Sequence, residues 1–322
     1  MTALRAHRRG GPEVLAVESA PIPVPAVGEV LVAVHAAAIT FDELTWEETW
    51  TRNGASRTPV IPSHEVSGVI AEISSGEKYF EPGDTAYGLI PFDRDGGAAD
   101  YVAVPAQALA AKPSAVSHTV AAALPLAGLT AWQALVDHAR VQPGERVLVT
   151  GGAGGVGALA VQLAARIGAD VVATVRSDAI ELVRNLGARN VIDVRTDAVD
   201  RGYDVVIDTV GGPTVDGLFR VLRSGGRLVT LSAPVPAGEA DEYDVTATFF
   251  VVTPNRTQLA ELASLVDSGR LHVEIAATFP LMRGRAAFES GRRPDRRPGK
   301  TVIVIRDELG AVASDPAAGH QL

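Results

Sequence analysis

A glycine cluster, Gly151-Gly152-Ala153-Gly154-Gly155-Val156-Gly157, stands between a short apolar run over 146–150 and a stretch with Val156, Leu159, Ala160, Leu163 and Ile167 at helical spacing. A strand must end and a helix begin within those few residues. Gly152 to Gly157 fits G-x-G-x-x-G. The first glycine, Gly152, is expected to permit a tight turn. The second, Gly154, lets the main chain approach a pyrophosphate, and the third, Gly157, lets the helix lie against the strand. The N–H groups at the helix start, at Gly155 and Val156, are then aimed at the anion. The motif therefore points to a dinucleotide site.

The strand–helix unit recurs. Gly168 ends the first helix, 171–175 is a strand, and 178–186 is a helix with Asp178 and Glu181 as a capping box and Gly187 as its stop. Residues 191–194, 204–208 and 227–232 are further short apolar strands. This alternation over more than 100 residues predicts an α/β fold with a doubly wound parallel sheet of the Rossmann type. The first 110 or so residues are β-rich, with strands at 30–34, 66–73 and 101–104 separated by proline and glycine turns. A helix over 254–269 carries Leu259, Leu262, Ala263 and Val266 on one face. A last strand at 301–305 is expected to rejoin the first domain, and the tail from Asp307 to Leu322 to be disordered. The domain reading is 1–119 with 256–322 for the β-rich domain and 120–255 for the Rossmann domain.

Composition narrows the function classes. Lys and Arg total 29 against 38 Asp and Glu, a formal charge of −9, which disfavours nucleic acid and anionic membranes as partners. Cysteine is absent, which excludes disulfides, a thiol nucleophile, Fe–S clusters and any Cys-ligated zinc. The longest apolar stretch, 120–129, is about half a membrane span. The basic first ten residues run into Pro12 and Glu13 instead of an apolar segment, so no secretory leader and a cytoplasmic location are expected.

The end of the second Rossmann strand distinguishes the cofactors. NAD sites place a carboxylate there for the ribose 2′-hydroxyl. Here Arg176 and Ser177 follow Val175 and suit a 2′-phosphate, so NADPH is expected.

With these residues in view, the sequence resembles the zinc-independent quinone oxidoreductase branch of the medium-chain dehydrogenase/reductase superfamily over nearly its whole length. The carriers are Gly10-Gly11-Pro12-Glu13-Val14-Leu15, Pro82-Gly83-Asp84, Gly97-Ala98-Ala99-Asp100-Tyr101 and Leu124-Pro125-Leu126-Ala127-Gly128-Leu129-Thr130-Ala131. The glycine loop, Asp208-Thr209-Val210-Gly211-Gly212 and Gly299-Lys300 complete them. The resemblance implies a GroES-like catalytic domain built from both termini, a Rossmann domain inserted in it, and an active site in the cleft between them. It also implies hydride transfer from NADPH to a quinone or conjugated enone, usually in a homodimer, with Thr130 and Lys300 among the cofactor-binding residues.

Two positions depart from the family. The zinc ligands of metal-dependent relatives match Thr40, His64-Glu65 and Leu126, so only the His-Glu pair remains and no metal is expected. Quinone reductases commonly carry Asn at the Thr40 position and Tyr five residues later, where this chain has Thr45, followed by Trp46-Glu47-Glu48-Thr49-Trp50. Trp46 and Trp50, at i and i+4, would share a face if that segment is helical. Thr40, Thr45, His64 and Thr130 are the candidate donors to an oxygen gaining charge. Tyr87 and Tyr101 are read as strand packing. No Tyr-x-x-x-Lys, G-x-S-x-G or phosphate loop of the G-x-x-x-x-G-K-[ST] form is present. Three readings stay open: a quinone or enone reductase, a dedicated enoyl or cyclic-enone reductase of natural-product biosynthesis, and a non-catalytic NADPH-binding protein.

Overall fold

The structure, a computed structural model, describes residues 1–308 and 310, except 177, 178, 213, 214, 236, 237 and 294. In chain order the principal strands are β1 (Thr2–Ala6), β2 (Leu15–Ser19), β3 (Glu29–Ile39), β4 (Glu65–Ile73), β5 (Thr85–Leu89), β6 (Tyr101–Pro105) and β7 (Leu109–Ala111). Then come β8 (Arg146–Val149), β9 (Asp170–Val175), β10 (Asn190–Asp193), β11 (Tyr203–Asp208), β12 (Leu222–Thr230), β13 (Thr246–Phe249), β14 (Ile275–Pro280) and β15 (Lys300–Val304). The helices used below are α1 (Glu47–Trp50), α2 (His118–Ala122), α3 (Pro125–Trp132), α4 (Gly155–Ile167), α5 (Ile180–Asn185) and α6 (Arg256–Asp267).

The chain divides into two compact units. One holds Met1–Leu126, Thr253–Arg270 and the residues from Ile275 on; the other holds Ala127–Val252 and Leu271–Glu274. The second unit is a six-stranded sheet of order β10-β9-β8-β11-β12-β13 with every neighbouring pair parallel. Strand order reverses between β8 and β11, and crevices at such reversals, beyond the strands' carboxyl ends, are where open α/β sheets take ligands. Helix α4 buries Leu159, Ala160 and Leu163, as its spacing predicts, and stops at Gly168 with φ +95°. Helix α5 is shorter than expected. It starts from Ala179 without a side-chain cap bond, and Asp178, the expected capping residue, lies outside the described residues. The four residues Leu271–Glu274 return to this unit because Gln162, buried in α4, donates to the His272 carbonyl at 2.9 Å and accepts from its N–H at 2.8 Å.

In the first unit the sheet runs β14-β15-β3-β4-β5-β7, with β6 also on β3. The late strand β15 pairs antiparallel with β3, so the chain does rejoin its N-terminal part. Strand β3 runs well past the expected 30–34 because His35 and the alanines at 36, 37 and 38 are buried and continue the ladder. Of the two tyrosines, Tyr87 is fully buried and donates to the Leu259 carbonyl at 2.6 Å, fixing α6; burial pushes its pKa up. Tyr101 lies under the Arg306 guanidinium, 4.8 Å from ring centre to Cζ. The predicted apolar face of α6 is buried at all four positions, Leu259, Leu262, Ala263 and Val266. The expected disordered tail lies outside the described residues from 311 on, but its first residues are placed: Glu308 Oε1 accepts from the His118 N–H at 3.0 Å.

His118 stacks on His35 with ring centres 4.2 Å apart, and its Nδ1 lies 2.8 Å from Ser67 Oγ. Burial pushes His118 down to about 3, with charge on His35 and Lys112 acting in the same direction. The unfolded chain therefore binds an extra proton below about pH 6.5, and stability contributed by the neutral ring is lost as pH falls from there toward 3. Thermal melts between pH 7 and 4 should fall less steeply for His118→Phe, which keeps a ring to stack. Equal slopes would remove His118 as a source of the acid sensitivity.

Candidate active site

The glycine loop begins where β8 ends. Gly151 takes φ +65°, so the left-handed conformation belongs to it and not to Gly152, where the turn was expected. Gly152 is glycine for space: a Cβ there would sit 2.8 Å from the Ala173 Cβ on β9 and 3.2 Å from Val183 on α5. A Cβ on Gly157 would run into the Gly151 carbonyl oxygen, which confirms close helix–loop contact. Gly154 differs from both, since a Cβ there would meet only the Gly151 carbonyl oxygen, at 3.2 Å. Its outer side is open, and as N-cap of α4 it offers no side-chain acceptor. The first amides of the helix are left for an anion, and the helix dipole favours one there. The residues thus fit the pyrophosphate of a dinucleotide.

A buried carboxylate shapes the loops around this point. Asp208, fully buried at the end of β11, accepts from Thr150 Oγ1 at 2.8 Å and Thr230 Oγ1 at 3.1 Å. It also accepts from the N–H groups of Val210 and Gly211, each at 3.2 Å. Thr150 Oγ1 in turn accepts from Thr209 N–H at 2.9 Å. One side chain thereby ties the ends of β8, β11 and β12 on both sides of the strand-order reversal. Arg176 is exposed directly after β9, and Ser177 lies outside the described residues. Thr130 is buried within α3.

The other polar cluster lies wholly in the first unit. Glu43, in a single turn over Glu43–Thr45, accepts from the Ser63 N–H at 3.0 and 3.1 Å and from His64 Nδ1 at 3.0 Å. His64 Nε2 is 3.2 Å from the Arg94 carbonyl oxygen, and its ring packs edge-on to Phe92 at 5.3 Å. Beside it, Glu65 is buried at the start of β4, accepting from Leu126 N–H at 3.0 Å and ion-paired with Lys300. The Lys300 ammonium also donates to Thr40 Oγ1 at 3.4 Å. The four positions that match a zinc shell in the family are thus a hydroxyl, an imidazole held by Glu43, a carboxylate held by an ammonium, and a leucine. Among the described residues no three His, Cys, Asp or Glu side chains converge as metal ligands.

The structure places the remaining candidates as follows. Thr45 is exposed and its hydroxyl donates to the Asp42 carbonyl at 2.7 Å, a local bond. Trp46 and Trp50 do not share a helical face, because Trp46 is the extended residue before the one-turn helix α1. Trp50 is core, its Nε1 donating to the Leu44 carbonyl at 2.9 Å, while half-buried Trp46 packs edge-on against Phe92 at 5.0 Å. Glu43, Asp208 and the Glu65 contact of Lys300 were not anticipated. Their partners are 21, 58 and 235 residues away, beyond the reach of any local pattern.

A parallel sheet of this strand order, with a glycine loop opening a helix at its reversal point, defines a nucleotide-binding domain of the dehydrogenase kind. Residues 26–114 match the alcohol dehydrogenase GroES-like domain, and residues 186–303 match the family described as zinc-binding dehydrogenase. The chain is 32% identical to a probable mitochondrial zinc-binding oxidoreductase of Arthroderma benhamiae, over 90% of this chain and 93% of that one. It is 34% identical to the chloroplastic NADPH-dependent alkenal/one oxidoreductase of Arabidopsis thaliana, covering 91% of this chain and 77% of that protein. The quinone oxidoreductase structure from Coxiella burnetii aligns with a TM-score of 0.84 at 29% identity, covering 95% and 99% of the two chains. The chain belongs to the medium-chain dehydrogenase/reductase superfamily, in its quinone oxidoreductase branch, and is an oxidoreductase. Among the described residues no helix is long and apolar enough to cross a membrane.

Proposed function

We propose that the chain is an NADPH-dependent reductase of quinones or small conjugated enones that works without zinc. The observation that carries this reading is the open, uncapped start of α4 at Gly154, beside the strand-order reversal. The named activities of the Arabidopsis and Coxiella relatives support the substrate class. Arg176 after β9 supports NADPH over NADH, and the exchange of zinc ligands for Thr40 and Leu126 supports metal independence.

When bound, NADPH supplies a hydride. The protein's work is positional and electrostatic. The amides of Gly155, Val156 and Gly157 would hold the pyrophosphate, with Gly152 and Gly154 giving the backbone its approach. Arg176 would hold the 2′-phosphate; Ser177, the other residue read for that contact, lies outside the described residues. As the substrate gains the hydride, negative charge collects on its oxygen, and a proton from water completes the hydroquinone or the saturated ketone. Donors are needed at that oxygen. Thr45 and His64 already bond the Asp42 carbonyl and Glu43, which leaves Thr40 as the better-placed candidate of the first unit.

The test is NADPH oxidation with 1,4-benzoquinone and with 2-cyclohexenone. Turnover should survive prolonged EDTA treatment; loss that zinc restores would refute the metal-free site. Arg176→Ala should weaken NADPH binding about ten- to a hundredfold, the equivalent of roughly 1.5–3 kcal/mol for a charge-assisted bond, and leave NADH nearly unchanged. Equal losses for both nucleotides in a fluorescence titration would withdraw the 2′-phosphate assignment.

A further inference from the structure

Lys300 is 8% exposed and Glu65 is 1% exposed, so their ion pair is buried, and a second Glu65 oxygen is held by the Leu126 N–H at 3.0 Å. The ammonium is therefore fixed in place and not free to swing. One of its remaining protons points at Thr40 Oγ1, 3.4 Å away, and Thr40 is only half-buried where β3 ends. A hydroxyl that accepts one hydrogen bond still has its own proton to give. Among the described residues, Thr40 Oγ1 donates to no acceptor. Accepting from a cation also makes that proton a better donor, since successive hydrogen bonds polarise one another.

From this arrangement we infer that Thr40 is the group that hydrogen-bonds the substrate oxygen as charge builds there. Lys300, clamped by Glu65, is the positioning residue that orients and polarises it. A fixed ammonium thus does, through a hydroxyl, the electrostatic work that a metal would do directly. The inference rests on the reductase reading above. It requires no proton to leave Lys300: Thr40 donates a hydrogen bond, and the proton that completes the product comes from water.

The experiment compares wild type, Thr40→Val, Thr40→Ser, Lys300→Arg and the paired change Glu65→Gln with Lys300→Met, which removes both charges together and leaves no lone buried carboxylate. Steady-state kinetics with 1,4-benzoquinone, NADPH fluorescence titrations and thermal melts are run on each. Thr40→Val should lower kcat about a hundredfold, the usual loss for one oxyanion donor. Thr40→Ser should recover most of it, Lys300→Arg should keep part of it, and NADPH affinity should stay within about twofold throughout. The paired change should lower kcat about tenfold, and adding Thr40→Val to it should give no more loss than Thr40→Val alone, because the residues act as one unit. A folded Thr40→Val enzyme turning over at the wild-type rate overturns the inference. So does a paired variant whose NADPH affinity falls tenfold while kcat holds, which would make Lys300 a cofactor ligand. If wild type itself binds NADPH and reduces neither substrate, the reductase reading falls and takes this inference with it.

Discussion

Valine at Gly157 is expected to cost the chain its stability, and valine at Gly154 only its cofactor. At Gly157 the new side chain meets the backbone of Gly151, which cannot yield without moving the end of β8. Overpacking against main chain should cost about 3 kcal/mol or more, a fall of roughly 6–12 °C in the melt. Gly154 has φ −76° and ψ 171°, a conformation open to any residue, and space around its missing Cβ. Its valine variant should melt within about 2–4 °C of wild type, the cost of a poorer N-cap. NADPH fluorescence quenching should nevertheless be lost, because the added methyl groups fill the path of the pyrophosphate. A Gly154→Val protein that binds NADPH as wild type does would reduce the loop to a structural turn and remove the basis of the proposed function.

Removing the Asp208 carboxylate should be as damaging. Its two oxygens satisfy two hydroxyls and two main-chain N–H groups in a site closed to water. Asp208→Ala leaves those donors without their acceptor, at an expected cost of about 3–5 kcal/mol. Asp208→Asn keeps one acceptor oxygen and should cost about half as much. Denaturant unfolding of the two variants measures both figures. A loss below about 1 kcal/mol in the alanine variant would mean that the loops hold without the carboxylate.

Much of this architecture could be read from periodicity. Apolar runs four to six residues long announced β8, β9, β10 and β11, and the spacing of Leu159, Ala160 and Leu163 announced α4. Where the sequence reading fell short, the cause was a polar residue with a distant partner. His35 looked like the end of a strand because its stacking partner, His118, is far along the chain. The Lys300 ammonium lies on Glu65 and Thr40, a pairing invisible along the sequence because only the return of β15 onto β3 creates it. Trp46 and Trp50 do not share a face, because the one-turn helix does not extend to the residue before it. Gly157 does lie in close contact with the loop, but the turn itself falls one residue earlier than expected, at Gly151.

The hydrogen bonds between Gln162 and His272 bear on how the nucleotide unit can be handled on its own. A fragment cut at 127 and 252 contains all six strands, yet it omits the main-chain groups that occupy both ends of a buried amide in the middle of α4. Such a fragment should be recovered mostly as aggregate. One that carries residues 271–274 on a short flexible tether, or replaces Gln162 by leucine, should stay in solution. Modularity in this chain is therefore set by an amide side chain reaching across 110 residues, and a boundary drawn through the sequence alone would cut it.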